Sequence, residues 1–177
     1  MMKRKRFVFR FVILLIMFSA IGYTFYTNFS ADEYNAVDVG DEATNFVLAD
    51  LNGDLLELKD LRGKGVYVTF WATHCQYCRQ KMEYLRDHYD EFRDKGVEVV
   101  AININESRVQ VERHKERYDI NYPILLDENN LVTDAYGVVQ IPATFLIDEN
   151  GRVIERQIGG KTESQVVESL TKLIPKS

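Results

Sequence analysis

A chain of 177 residues, 46% of them hydrophobic, is long enough for one domain with a self-sufficient core plus a short appendage. Its net charge is −5, with basic residues interleaved among acidic ones, which excludes a nucleic-acid-binding polycation. Two cysteines are too few for a disulfide scaffold.

The chain opens on Lys3, Arg4, Lys5, Arg6 and Arg10 and then runs uncharged through residues 11–31. A membrane-spanning helix needs about 20 apolar residues. The Phe, Ile, Leu and Met majority of this run favours insertion although Ser19, Gly22, Thr24, Thr27 and Asn28 dilute it. Leading basic residues orient such a segment with its N-terminus in the cytoplasm. A cleaved signal peptide is the alternative reading, but small-x-small cleavage sites are poor here and no cysteine follows for lipidation. The expectation is therefore a cytoplasmic tail over 1–10, a transmembrane signal anchor over 11–31 and a short polar linker. An extracytoplasmic domain follows over 35–175, in a single-pass type II protein of the cell membrane.

Apolar runs at 46–48 and 55–58 flank Asp50-Leu51-Asn52-Gly53-Asp54, and Asn-Gly between such runs predicts a hairpin. The run 66–70 (VYVTF) has the β-branched and aromatic content of a buried strand. Residues 79–93 hold no Gly or Pro and predict a helix stopped by Gly96. Between them lies Trp71-Ala72-Thr73-His74-Cys75-Gln76-Tyr77-Cys78, which contains both cysteines at C-x-x-C spacing. A strand-to-helix junction puts the first sulfur near unpaired helix N–H groups and the positive end of the helix dipole. That setting favours thiolate, the reactive form, and the second cysteine lies one turn on, within reach of a disulfide. The pattern is that of a redox-cycling dithiol.

A second buried strand is predicted at 97–103, then a helix from Ser107, with Gln110 completing a capping box, to 117 or 118. A strand at 123–126, a short helix at 131–136 and a strand at 145–147 follow, the last entered through Ile141-Pro142-Ala143-Thr144. Glu149-Asn150-Gly151 turns the chain into an outer strand at 153–157, and Thr162 with Gln165 starts a final helix ending before Pro175. Strands alternating with helices and closing on a hairpin imply an α/β fold, a mixed sheet covered on both faces.

Trp71 with Cys75-Gln76-Tyr77-Cys78, followed at a distance by Ile141-Pro142-Ala143-Thr144-Phe145-Leu146-Ile147-Asp148 and Gly151, resembles the thioredoxin fold. The 46–58 hairpin, the inserted strand and helix between 97 and 118, the basic start and apolar anchor, and Gly160-Lys161-Thr162-Glu163-Ser164 resemble the membrane-anchored TlpA/ResA family. The resemblance implies a thiol-disulfide oxidoreductase that reduces the haem-binding cysteines of apocytochrome c during c-type cytochrome biogenesis. It implies re-reduction by a CcdA-type membrane transporter and needs no cofactor. It makes Cys75 the attacking thiolate and Cys78 the buried resolving cysteine. Pro142 matches the family's cis-proline, which frees Ile141 to pair with substrate backbone, and Trp71 is a further candidate for shaping the substrate groove.

Three positions depart from the family: Thr69 where thioredoxins carry a buried Asp, Lys81 where the family carries Glu, and Glu83 where it usually has Pro. His74 replaces a common Trp. His74 and Lys81 are therefore candidates for tuning the thiol pKa, since a nearby cation stabilises thiolate, whereas His88 and His114 read as solvated helix residues beside charged neighbours. A structural zinc site needs four ligands and finds no second Cys or His pair. A peroxidase needs a Thr-x-x-Cys pocket, and Ala72 stands at the Thr position. The remaining alternatives are a tethered binding module with a passive disulfide, and an anchored oxidoreductase with another envelope or spore-assembly client.

Overall fold

The computed structural model describes residue 10, residues 12–24 and residues 37–176, in two units, Met1–Asn35 and Ala36–Ser177. In the first unit, residues 12–24 are helical. Among the described residues no helix is long and apolar enough to cross a membrane. Residue 11 and residues 25–31 of the expected anchor, with nearly all of the expected tail, lie outside the described residues.

The second unit begins with the hairpin. Strands β1 (Val47–Ala49) and β2 (Leu55–Glu57) pair antiparallel. The Asp50 carboxylate accepts the backbone N–H groups of Asn52 (2.7 Å) and Asp54 (2.9 Å), and Gly53 takes φ +93°, which closes the turn. A 3₁₀ turn, Leu58–Leu61, leads into β3 (Gly65–Trp71), α1 (Gln76–Asp94), β4 (Val97–Ile104) and α2 (Arg108–Arg117). Then come β5 (Ile124–Asp127), α3 (Leu131–Ala135), β6 (Ala143–Ile147), β7 (Val153–Ile158) and α4 (Glu163–Lys172).

The main sheet runs β5-β4-β3-β6-β7. Strands β3, β4 and β5 are parallel, while β6 is antiparallel to β3 and β7 antiparallel to β6. Strand β3 has neighbours on both sides and layers on both faces, so every one of its residues is buried, and its sequence is correspondingly apolar apart from Thr69. Alternation along the strands divides the core. Tyr67, Trp71, Val99, Ala101 and Leu146 face one cluster with Met82, Leu85 and Phe92 of α1 and Val166 and Leu170 of α4. Val66, Val68, Phe70, Ile102 and Phe145 face the other, beneath the hairpin and Tyr136. Strand β7 is an edge with partly exposed residues, as its alternation predicts.

One expected cap forms only by half. Ser107 Oγ accepts from Gln110 N at 3.4 Å, but the Gln110 side chain does not return to Ser107. Its amide donates instead to Thr73 Oγ1 (2.7 Å) and Glu106 Oε1 (2.9 Å), because a carboxylate is the stronger acceptor. At Thr162 and Gln165 no such competitor intervenes and the capping box is complete.

Gly65 starts β3 directly under the end of α4, where a methyl group would collide with the Leu173 backbone carbonyl. Gly65→Ala should therefore cost about 1–3 kcal/mol by overpacking. The measurement is the urea midpoint at unchanged m-value; an unmoved midpoint would contradict this close approach.

Candidate active site

Strand β3 ends at Trp71 and α1 begins at Gln76, with Cys75 as its N-cap in extended conformation. Cys75 Sγ accepts the N–H of Cys78 at 3.2 Å, so the sulfur itself occupies the capping position that an oxygen usually fills. The two cysteines form a disulfide, with Cα atoms 5.2 Å apart. Cys75 is partly exposed and Cys78 is 1% exposed, so an incoming thiolate or disulfide meets Cys75 first.

Antiparallel pairing of β6 with β3 sets Ala143 opposite Phe70, which brings the preceding Ile141-Pro142 bond to the cysteine end of the sheet. That bond is cis. Pro142 is buried and its carbonyl accepts from Gly159 N (2.8 Å), while Ile141 is partly exposed. The loop after β7 closes on the cysteine turn from the other side, since a side chain at Gly160 would meet the Tyr77 ring. Tyr77 and Val139 stand exposed around this end.

The loop before Cys75 is held by a residue that sequence reasoning did not single out. The Glu106 carboxylate accepts from Thr73 N (2.8 Å), Thr73 Oγ1 (2.7 Å), Asn103 Nδ2 (2.7 Å) and Gln110 Nε2 (2.9 Å). Burial opposes its ionisation, but hydrogen bonds from Asn103, Thr73 and His74 outweigh that and hold its carboxyl below the usual range. His74 is an exposed side chain with Nδ1 3.5 Å from Glu106 Oε1. An imidazolium there faces a carboxylate that offsets its field at Cys75.

Lys81 lies one turn beyond Cys78 on the same helix face and is 1% exposed. Its Nζ donates to Thr144 Oγ1 (2.9 Å), Thr144 Oγ1 donates to Thr69 Oγ1 (3.2 Å), and Thr69 Oγ1 donates to the Ala143 carbonyl (3.4 Å). Among the described residues no carboxylate pairs with it. Burial, with a smaller push from the Lys161 charge, lowers its pKa to about 7. The expected cation beside Cys78 is thus only half charged at neutral pH, because desolvation disfavours the ammonium.

His114 sits elsewhere than expected, and Trp71 lies in the core. Trp71 is 1% exposed, and its ring lies 4.9 Å from that of His114, tilted by 45°. His114 is itself buried between Trp71 and Tyr118, not solvated, because α2 turns this face onto the sheet. His88 fits its expected place better, half-buried with Nε2 2.9 Å from Glu163 Oε1.

Residues 39–156 match the model of the AhpC/TSA family. The chain belongs to that family. It is 44% identical over 172 residues to the thiol-disulfide oxidoreductase ResA of Halalkalibacterium halodurans, covering 97% of each chain. It is 40% identical to ResA of Bacillus cereus over 98% of this chain and all of the other. The solved thiol:disulfide interchange protein of Chlorobium tepidum shares the fold at a TM-score of 0.71 and 23% identity, over 78% of this chain and 99% of the other. This AhpC/TSA-family protein is a thioredoxin-like thiol-disulfide oxidoreductase, and its two cysteines form the redox pair.

Two tests address the surroundings of that pair. Glu106→Ala leaves Thr73 and Asn103 without their acceptor and should cost about 2–4 kcal/mol, with a larger fall in disulfide-reductase rate than core variants of equal stability show. Equal falls would make Glu106 purely structural. For Lys81, the unfolded chain holds more protons than the folded one between pH about 7 and 10.5, so stability of the oxidised protein should rise with pH across that window. Lys81→Met should flatten that rise; a rise retained in the variant would place its origin elsewhere.

Proposed function

We propose that the protein reduces the disulfide between the haem-binding cysteines of apocytochrome c on the outer side of a bacterial cytoplasmic membrane. Residues 11–31 serve as its anchor and a CcdA-type transporter returns it to the dithiol state. The observation that carries this reading is likeness over nearly the full chain, N-terminal segment included, to oxidoreductases named ResA. The uncharged run behind five basic residues supports the placement.

In the reaction, Cys75 thiolate attacks one sulfur of the client disulfide, forming a mixed disulfide and expelling the other client sulfur as thiolate. Cys78, deprotonated, then attacks Cys75 Sγ and expels the second client thiolate. The client gains two electrons and, on protonation, two protons, and the protein is left in the disulfide form observed here. A dithiol donor resets it by the reverse exchange. The burial of Cys78 supports this division of roles, since a resolving thiol is protected from outside disulfides while remaining within reach of Cys75.

Cys78→Ala removes the second step and should accumulate the client on Cys75 as a mixed disulfide, recoverable from membranes of the producing cell. Apocytochrome c in that adduct is the expected result. Adducts containing only other envelope proteins would overturn the assignment of the client while leaving the exchange chemistry intact.

A further inference from the structure

A cavity opens beside the redox loop, between the start of α1 and α2. Its lining includes Thr73, Arg79, Arg113, His114, Arg117 and Tyr118, and no acidic side chain. Thr73 lies two residues before Cys75 and Arg79 directly follows Cys78, so the cavity adjoins the sulfurs along the chain. Three arginines line this space in a protein of net charge −5, yet among the described residues none of them pairs with a carboxylate. Arg79 instead lies over the Tyr118 ring, 5.8 Å from its centroid.

A second feature of the same cavity points independently to a ligand. His114 is 8% exposed, its ring held between Trp71 and Tyr118, and its Nε2 is buried with no hydrogen-bond partner. An unpaired buried polar atom is costly unless something binds it. The charged groups around this imidazole are Glu106 from the loop after β4, Arg117 from its own helix, and Arg79 and Glu83 from α1. Burial, with Arg117 and Arg79, lowers its pKa against the opposing pull of the two glutamates. An anion in the cavity would offset the two arginines and draw a proton onto His114.

We propose that this cavity is a carboxylate-docking subsite, which seats an acidic side chain of the polypeptide whose disulfide exchanges with Cys75. The inference rests on the exchange reaction described above. Guanidinium forks match a carboxylate in two-point geometry, and the buried His114 imidazole adds positive charge behind them when it is protonated. Since the lining begins at Thr73, two residues before Cys75, and an extended client advances about 3.3–3.6 Å per residue, the acidic side chain would lie a few positions from the client's disulfide.

The test uses the full chain in detergent and two synthetic disulfide-bridged peptides, identical except for Glu or Gln three residues from the bridge. The readout is the ratio of their kcat/KM values within each protein, so a general loss of activity cancels. The wild type should prefer the Glu peptide by about tenfold, mainly through KM, the scale of one charge-assisted contact. The preference should grow as pH falls from about 8 to 6. In the double variant Arg113→Gln, Arg117→Gln the ratio should fall towards one. A wild-type ratio of one, a ratio that survives in the double variant, or a preference that shrinks at low pH would each overturn the proposal. Inorganic phosphate at millimolar concentration should compete with the Glu peptide and not with the Gln peptide. Phosphate binding without any Glu preference would identify a free-anion site and overturn docking of a polypeptide. If the wild type reduces neither peptide, the exchange reading fails with it; equal reduction of both sinks the docking alone.

Discussion

The reactive end of this protein depends on one junction, where a fully buried strand must give way to a helix within the few residues after Trp71. A helix start leaves backbone N–H groups unpaired, and here the first of them to find a partner within the helix's own opening finds a sulfur, Cys75 Sγ. The same geometry that satisfies the helix also brings Cys78 within bonding distance. The strand's burial then fixes where the junction stands, since β3 is clamped by β4 and β6 along its length and cannot shift without turning its side chains to the wrong faces of the sheet.

What the sheet does not hold, Glu106 does. The loop from Ala72 to His74 has no ladder to join, and its polar groups would otherwise depend on water. One carboxylate gathers Thr73 by main chain and side chain, ties it to Asn103 at the end of β4 and to Gln110 on α2, and so couples the position of Cys75 to the neighbouring strand and helix. The arrangement also diverts Gln110 from its cap, a small local loss offset by a stronger charge-assisted contact.

Below the cysteines the chain uses a hydroxyl chain and an amine. Lys81, Thr144 and Thr69 satisfy one another in a single direction that ends on a backbone carbonyl, and this leaves no acceptor for a second charge. Burial without an anion keeps Lys81 near the midpoint of its titration at neutral pH, so a proton can be held or released there with little change in free energy.

The strand and helix order, the cysteine pair, the helix stop at Gly96 and the hairpin turn were all legible in the sequence, because each is written in local chemistry: periodicity, turn residues and short spacing. The burial of Cys78 and the cis bond before Pro142 were expected only through the family resemblance, and the burial of Lys81 and His114 and the role of Glu106 were not legible, because each depends on strands and helices distant in the chain arriving at one place. Polar residues at and just past the end of a parallel strand, Asn103 and Glu106, were the one available hint, since sites in such sheets gather at strand C-termini. The sequence by itself determined a redox dithiol at a strand-to-helix junction. Only the tertiary structure decided what surrounds it, because the charge and hydration of a side chain are set by the neighbours that packing supplies and not by those that the chain places next to it.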